Sequence, residues 1–285
     1  ELLRDRAPVV ERVRRHRRLR VAIRDTGRER DRAVRRERAD GGASYPHGAD
    51  TILGPGVFKR LQGFDLVIRT AGLAPHKIET DGKVWSATNE FFAKCPAPII
   101  GVTGSKGKGT TSSLITSILE AAGKRVWLVG NIGVPALGVL SQIQPDDIVV
   151  YELSSFQLWD LEKSPHTAVV LFIEQEHLDV HRSMDEYVEA KAQITRHQTE
   201  DDLLVYYANN QYTEQIASTS KARKVAYPSA DAAYVHMYDE MFCYGSNALC
   251  SIHELRIPGE HNQVNALAAI DAVWQYTQDA EAIKA

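Results

Sequence analysis

Residues 101–111 read GVTGSKGKGTT, and this glycine-rich segment constrains the fold more than any other stretch of the chain. It follows a short apolar run at 98–100 and precedes a helical pattern over 112–122. Strand, glycine loop and helix is the order of a phosphate-binding loop, in which backbone N–H groups and a helix N-terminus face an anion. The segment therefore predicts nucleotide binding.

If the loop binds a nucleotide, its lysine and its hydroxyl group have specific expected roles. We expect Lys108 to reach the β- and γ-phosphates and the Thr110 hydroxyl to lie near Mg²⁺. The strict pattern has glycine and Ser or Thr at two positions where this chain has Val102 and Gly109. A glycine-rich turn without a ligand is therefore the alternative.

The cysteine content and the hydropathy restrict the compartment. Cys95, Cys243 and Cys250 are too few and too scattered for a disulfide framework or a zinc knuckle, and they suit a reducing cytoplasm. No apolar run approaches the roughly 18 residues that a spanning helix needs. The basic N-terminus also lacks the apolar core of a secretory signal. We expect a cytoplasmic protein that does not bind membranes.

Residues 1–50 differ in composition from the rest of the chain. They contain 15 Arg and no Lys, whereas all 12 Lys lie beyond them. Three interpretations stay open: a basic arm for nucleic acid or acidic lipid, a solvated charged helix, or a non-native peptide from a misassembled gene start. We favour the last because the Lys usage changes so abruptly. Interspersed acids, and the lack of aromatic residues among the arginines, argue against nucleic-acid binding.

Beyond residue 50, apolar strand-like runs alternate with helical patterns. This alternation predicts an α/β protein with a parallel or mixed sheet flanked by helices. Gly123 and Ser183 are expected to end one helix and begin the next. Strands are predicted at 64–69, 99–102, 125–129, 147–152, 167–173, 203–207, 224–227 and 251–257. Helices are predicted at 86–94, 110–122, 184–197 and 261–276.

Polar residues follow several predicted strands, at the edge where ligands gather in open α/β sheets. Glu152 closes a buried strand and is a candidate Mg²⁺ ligand because magnesium prefers oxygen donors; a salt-bridged or capping glutamate is the alternative. His177 follows the 167–173 strand and is a second candidate ligand, although a lone histidine is more often structural. Lys191 lies on a helix and by itself indicates an ordinary surface lysine.

Six motifs, in order, resemble those of the Mur ligases, which are ATP-dependent amide-forming enzymes of peptidoglycan synthesis. The motifs are 101–111, 130–133 (GNIG), 151–158 (YELSSFQL), 176–179 (EHLD), 189–192 (EAKA) and 259–266 (GEHNQVNA). The 151–158 segment looks most similar to members that add D-glutamate to UDP-N-acetylmuramoyl-L-alanine. The resemblance implies a P-loop-type central ATP-binding domain over 97–285, preceded by a partial Rossmann-like domain for the UDP substrate over 51–96.

The resemblance also implies roles for matched residues. The metal site would comprise Thr110, Glu152, His177 and Lys191, with Lys191 carbamylated by CO₂ into a carboxylate-like group, which requires a neutral amine. Lys108, Glu152, His177 and Lys191 would be catalytic. The ATP phosphates would be held by Gly104, Ser105, Lys106, Gly107, Lys108, Gly109 and Thr110. Asn262 and Asn265 would contact the adenine side, and the UDP substrate would be lined by Asn131, Ser154 and Gln157.

The reaction implied by the resemblance has two steps. The substrate carboxylate attacks the γ-phosphorus of ATP to give an acyl phosphate and ADP, and the amine of D-glutamate then displaces phosphate. Lys108 and Mg²⁺ would neutralise charge on the transferring group. We expect a monomer that uses ATP and Mg²⁺ and binds no nucleic acid.

Five positions depart from the family pattern: Lys106, Gly109, Phe172, Glu176 and Val180. Phe172 and Val180 remove polar groups near the implied second metal. We further expect that the chain is a fragment, because the family's C-terminal domain would begin where this sequence stops. The alternatives are another amide ligase, such as a folylpolyglutamate synthase, and a non-catalytic nucleotide-binding protein.

Overall fold

The computed structural model describes residues 20–22, 50–52, 56–176 and 180–285. The chain divides into two compact units, one up to Ser86 and the other from Ala87 onwards. Most of the Arg-rich segment lies outside the described residues, so its three interpretations stay open. No helix in the described part of the chain is long and apolar enough to cross a membrane.

The described residues of the first unit include two parallel strand pairs. They are β1 (Arg20–Ala22) with β2 (Asp50–Ile52), and β3 (Leu66–Arg69) with β4 (Lys83–Ser86). The predicted strand at 64–69 begins at Leu66. Ile68 within it is 55% exposed, so this strand is less buried than its apolar sequence indicates. A sheet of only two strands buries little apolar surface, and this accounts for the exposure of Ile68.

The second unit is built on a six-stranded sheet in which every strand pair is parallel. Its strands are β5 (Ile99–Thr103), β6 (Val126–Gly130), β7 (Ile148–Glu152), β8 (Thr167–Val170), β9 (Leu203–Tyr207) and β10 (Arg223–Tyr227). The spatial order is β10-β9-β8-β5-β7-β6, which places β5 between β7 and β8. The expected parallel sheet is therefore confirmed, and the loop after β5 lies between the ends of its two neighbours.

Helices cover both faces of this sheet. The helices are α1 (Ala87–Lys94), α2 (Lys108–Ala121), α3 (Ala136–Val139), α4 (Ser155–Leu158), α5 (Met184–Ala192), α6 (Gln211–Thr219), α7 (Glu260–Val273) and α8 (Ala280–Lys284). Successive side chains of β7 point to opposite faces: Val149 and Tyr151 join one apolar cluster, whereas Ile148 and Val150 join the other. A strand buried on both sides explains the continuous apolar run that its sequence displays.

The helix end predicted at Gly123 and the helix start predicted at Ser183 are both confirmed. Gly123 has φ +74°, and its N–H donates to Glu120 O at 2.9 Å just beyond α2, as a left-handed cap requires. Ser183 Oγ accepts from Glu186 N at 3.2 Å and begins α5. That helix ends at Ala192, five residues earlier than predicted, because the following backbone forms tighter turns such as Thr195 N to Ala192 O.

Two predicted strands differ from the structure. Strand β8 ends at Val170, three residues early, because the next residues turn to bond the glycine loop. The strand predicted at 251–257 is wrong. The chain pairs over 247–251, and Ser251 then caps a 3-10 turn: its Oγ accepts from His253 N at 3.2 Å, while Ser251 N donates to Glu254 Oε2 at 3.0 Å. This local capping box replaces strand pairing.

A small antiparallel sheet was not predicted from the sequence. It comprises β11 (Val235–Tyr238), β12 (Met241–Tyr244) and β13 (Asn247–Ser251). The first hairpin turns at Asp239 and Glu240, which both have positive φ, +48° and +58°. Such tight turns usually contain Gly or Asn, so the pair Asp-Glu gives no hairpin signal.

Candidate functional site

The glycine-rich loop lies between β5 and α2, and two of its glycines have conformations that a larger residue could not adopt without strain. Gly104 has φ +151°, and a Cβ there would lie 2.6 Å from Leu171 Cβ. Gly107 has φ +83° and forms the N-terminal boundary of α2; a Cβ there would lie 2.5 Å from Asn265 Oδ1. The loop therefore packs closely against its neighbours, and α2 begins directly after Gly107, so the N-terminus of that helix adjoins the loop.

Two lysine amines converge on the carbonyl groups of this loop. Lys108 Nζ donates to Gly104 O at 3.0 Å and to Ser105 O at 2.7 Å. Lys191 Nζ donates to the same Gly104 O at 2.8 Å and lies 3.4 Å from Thr103 Oγ1. The sequence placed Lys191 on a helix surface unless the family resemblance applied. The surface interpretation is wrong, since Lys191 is only 1% exposed.

Burial lowers the pKa of both amines. Desolvation lowers the pKa of Lys108, and the charges of Glu176 and Glu152 oppose this effect. The pKa of Lys191 lies well below its ordinary value, chiefly because of burial and also because of the nearby Lys108 cation. Lys191 therefore has the greater tendency to be neutral, and a neutral amine is the nucleophilic form of lysine.

Tyr187 connects Lys191 to the loop. Lys191 Nζ lies 4.6 Å from the centre of the Tyr187 ring, one turn earlier on α5. The Tyr187 hydroxyl lies 3.0 Å from Ser105 Oγ and donates to Glu176 Oε2 at 3.2 Å. Sequence reasoning missed this tyrosine, although its spacing of four residues from Lys191 on a predicted helix was an available signal.

Glu152 ends β7 beside the loop and has the properties of a cation ligand. It is 3% exposed, and its Oε2 atom is buried without a hydrogen-bond partner. A Cβ on Gly109 would lie 4.0 Å from that oxygen, so the carboxylate faces the start of α2. A buried carboxylate oxygen without a donor is costly unless a cation or water satisfies it. This oxygen donor suits Mg²⁺.

Thr110 and His177 are two further predicted metal ligands, and the structure describes only the first of them. Thr110 lies in the first turn of α2, next to Gly109, at which a Cβ would lie 4.0 Å from Glu152 Oε2. His177 lies outside the described residues. Within residues 56–176 and 180–285, no three His, Cys, Asp or Glu side chains are grouped so that they could hold a metal ion. The described protein donors at this position are therefore carboxylate, hydroxyl and backbone groups.

Of the two predicted adenine-side asparagines, Asn265 contacts the loop and Asn262 bonds to Asn265. Asn265 contacts Gly107, as its proximity to a Cβ at that position indicates, and its Nδ2 donates to Asn262 Oδ1 at 3.2 Å. Asn262 Nδ2 in turn donates to Pro258 O at 2.8 Å. The N-terminus of α7 is thus brought to the glycine loop, although these residues are about 150 positions away in the sequence.

The predicted UDP-substrate residues follow β6 and β7. The backbone N–H of Asn131 donates to Glu152 O at 3.2 Å, which places it beside the end of β7. Ser154 and Gln157 form a capping box around α4: Ser154 N donates to Gln157 Oε1 at 2.9 Å, and Gln157 N donates to Ser154 Oγ at 3.3 Å. These two side chains therefore stabilise the helix start at the sheet edge.

The segment after β8 runs along the glycine loop and contains several family departures. Ser105 N donates to Phe172 O at 2.9 Å, and the Phe172 ring is 40% exposed and packs edge-on to Tyr207 at 5.4 Å. Glu174 Oε1 lies 2.5 Å from Lys106 Nζ. The departure Lys106 is thus matched by a carboxylate, which the sequence prediction did not anticipate.

A cavity of about 490 Å³ adjoins the start of α2. Its walls come from α2, α7, α8 and the turn at 252–257, and they are mainly apolar. Residues along its walls include Gly109, Thr110, Ser113, Ala266, Ala269 and Arg256. A predominantly apolar cleft with a few polar groups is the usual form of a small-molecule site.

Comparisons with known proteins found a matching family model, curated relatives and solved structures of similar fold. Residues 102–273 match the Mur ligase middle domain. The chain is 40% identical over 233 residues to the UDP-N-acetylmuramoylalanine--D-glutamate ligase of Acetivibrio thermocellus, with 78% of this chain and 50% of that protein covered. It is 38% identical over 239 residues to the ligase of the same name from Symbiobacterium thermophilum, with 79% and 52% covered. The chain spans about half the length of the curated relatives it matches.

Solved structures share the fold at lower identity. MurF from Acinetobacter baumannii superposes with a TM-score of 0.55 at 21% identity, covering 76% of this chain and 52% of that one. The UDP-N-acetylmuramate:L-alanyl-gamma-D-glutamyl-meso-diaminopimelate ligase from Neisseria meningitides gives 0.56 at 17% identity, covering 85% and 86%. The domain match includes β7, α5 and α7 together with most of the glycine loop, and so takes in most of the site described above. The chain belongs to the Mur ligase family.

Proposed function

We propose that this chain is the nucleotide-binding part of a ligase that joins D-glutamate to UDP-N-acetylmuramoyl-L-alanine at the expense of ATP. The proposal concerns the whole natural protein, since the chain spans only half of its curated relatives. Its support is the identity of 35–40% to relatives named as D-glutamate ligases, together with the YELSSFQL segment at the end of β7.

One structural observation carries the ATP-dependent part of the proposal: the buried Oε2 of Glu152 has no hydrogen-bond partner and faces the phosphate-type loop. Glu152 and the Thr110 hydroxyl would hold Mg²⁺, which, when bound, would supply charge neutralisation at the phosphates. The loop N–H groups and the α2 N-terminus would bind the phosphate oxygens. Asn262 and Asn265 would lie on the adenine side of the nucleotide.

The chain's own residues would act mainly through charge and position. Lys108 would exchange its bonds to Gly104 O and Ser105 O for the β- and γ-phosphates. The substrate carboxylate, held near Asn131 and the start of α4, would attack the γ-phosphorus while ADP leaves. The D-glutamate amine would then attack the acyl carbon, with loss of phosphate and a proton. Placing these groups in line is the main catalytic contribution.

Lys191 would be the carbamylated lysine of the site. Its depressed pKa favours the neutral amine that adds to CO₂. The carbamate would carry a negative charge near the Lys108 cation, and the attraction between the two charges would stabilise it. His177 is included in the proposal as a second metal ligand on the family resemblance alone. The domain division, with the UDP substrate bound over 51–96 and ATP over 97–285, is proposed on the same basis.

The test uses the natural protein that contains this chain. ADP release and product mass are measured with ATP, Mg²⁺, UDP-N-acetylmuramoyl-L-alanine and one amino acid at a time: D-glutamate, L-glutamate, L-alanine or L-lysine. We expect a product mass increased by one glutamyl group with D-glutamate alone. Lys108→Ala should abolish it, whereas Lys94→Ala, which removes a partly buried ion pair with Glu90 on α1, should not.

A folylpolyglutamate-type ligase is the second candidate because Gly107-Lys108-Gly109 has glycine where Mur ligases usually have Ser or Thr. Addition of glutamate to a folate, without reaction of the UDP substrate, would favour this candidate and overturn the first. Nucleotide binding without ADP release from any acceptor would instead indicate a non-catalytic protein.

A further inference from the structure

Lys106 is an exposed cation at the tip of the glycine loop, next to the proposed phosphate site. Its side chain is 77% exposed, and that of its partner Glu174 is 39% exposed. The hydrogen bond and charge of Glu174 raise the pKa of Lys106, with a smaller contribution from Glu176. Lys106 therefore carries a full positive charge at the rim of the proposed phosphate site.

The backbone around Glu174 is fastened to the loop independently of its carboxylate. Ser105 Oγ donates to Glu174 O at 2.9 Å, and Glu174 N donates back to Ser105 Oγ at 3.0 Å. Ser105 N also donates to Phe172 O at 2.9 Å. The two ends of the ion pair thus stand on a fixed frame, and the flexible side chains can part without disturbing that frame.

Lys106 also differs from the two other amines at the loop. Lys108 and Lys191 donate to loop carbonyl groups and are buried or partly buried, so they are held in place. Lys106 is held by a carboxylate in an exposed pair, and such pairs are weak because water and salt screen them. A terminal phosphate carries more negative charge than a carboxylate and can displace it.

We propose that Lys106 is a second phosphate-binding lysine, which pairs with Glu174 in the nucleotide-free chain and transfers to the terminal phosphate of a bound nucleoside triphosphate. The inference rests on the proposed function only in taking ATP as the ligand of the loop. Lys106 would give the chain a higher affinity for the triphosphate than for the diphosphate, since ADP lacks the phosphate that Lys106 would contact.

The test measures the dissociation constants of Mg²⁺–ATPγS and Mg²⁺–ADP by titration calorimetry for this chain. The variants are Lys106→Asn, Glu174→Gln and the double variant, with Lys59→Asn as a matched control on another exposed ion pair, Lys59 with Glu79. Lys106→Asn should weaken ATPγS about five- to tenfold and ADP less than twofold. Glu174→Gln should strengthen ATPγS about two- to fivefold, because the competing carboxylate is gone.

The double variant separates exchange from general repulsion. In the exchange mechanism, Glu174→Gln has no effect once Lys106 is absent. An equal gain with and without Lys106 would overturn the proposal, as would an unchanged ratio of ATPγS to ADP affinity in Lys106→Asn. If the unmodified chain binds both nucleotides and Lys106→Asn leaves the ratio of their affinities unchanged, only the exchange of partners by Lys106 is refuted, and the proposed function stands. Binding of neither nucleotide refutes the proposed function and this inference with it.

Discussion

Asp271 is a buried carboxylic acid that we expect to make the stability of the chain depend on pH. It lies on α7 and is 5% exposed; its Oδ1 accepts from Val235 N at 3.1 Å, and its Oδ2 is buried without a partner. Burial raises the pKa of this carboxyl from 3.8 to about 7, although the Val235 hydrogen bond opposes the change. Burial raises the pKa of the nearby Tyr227 well above its ordinary value, with smaller contributions from Tyr207 and from the charge of Asp271.

The sign of the effect follows from proton linkage. Between pH 4 and 7 the unfolded chain has an ionised Asp271 while the folded chain keeps it protonated, so folding takes up a proton. The associated stability is complete below about pH 4, declines as the pH rises, and is lost above about 7. At about 1.4 kcal/mol per pKa unit the whole effect is about 4 kcal/mol, of which about 2 to 3 kcal/mol falls between pH 5 and 8.

Asp271→Asn removes this titration while its amide oxygen can still accept from Val235 N. Thermal unfolding of both proteins is measured from pH 5 to 8. The difference between the two melting temperatures should shift by about 5 to 10 °C in favour of the variant as the pH rises. Asp146→Asn, at an exposed position of the same unit, should run parallel to the unmodified protein. A parallel curve for Asp271→Asn would refute the argument, because the folded carboxyl would then be ionised throughout.

Two further predictions concern the loop itself. Glu152→Gln removes the carboxylate whose Oε2 lacks a partner, so the affinity for ADP should fall about tenfold with Mg²⁺ and stay unchanged with EDTA; an equal loss in both conditions would contradict a metal role. Gly107→Ala places a Cβ 2.5 Å from Asn265 Oδ1 at φ +83°, so it should abolish nucleotide binding and destabilise the chain by about 1 to 3 kcal/mol, whereas Gly138→Ala, with nothing within 4 Å of its Cβ, should bind normally.

The sequence predicted the sheet and the loop well because their signals are local. Runs such as 148–152 are apolar at every position through to a final glutamate, and a strand buried on both faces requires that composition. The glycine spacing of 104 and 107 likewise specifies backbone angles that larger residues avoid. The structure confirms the strand, the loop and the following helix in that order.

Other features could not be predicted because they depend on contacts between distant residues. The residues on either side of Lys191, at 189–190 and 192–193, have types that suit an exposed helix. Nevertheless, β5 and the loop bury the Lys191 amine against Gly104 O. The matching of Lys106 with Glu174 joins two segments 68 residues apart. The turn at Asp239 and Glu240 depends on hairpin geometry that no residue type there signals.

The bonding of the loop in this structure has a consequence for nucleotide affinity. Lys108 and Lys191 both donate to Gly104 O, and Lys106 pairs with Glu174, so each of these three amines already has an acceptor. Binding of a polyphosphate by Lys108 and Lys106 is then an exchange of partners, and its net free energy is smaller than the new contacts alone would give. The Oε2 atom of Glu152 is different, because it has no partner to give up. A metal ion at that oxygen would therefore add more to the net affinity than a single lysine would, which is why we expect nucleotide binding by this chain to depend strongly on Mg²⁺.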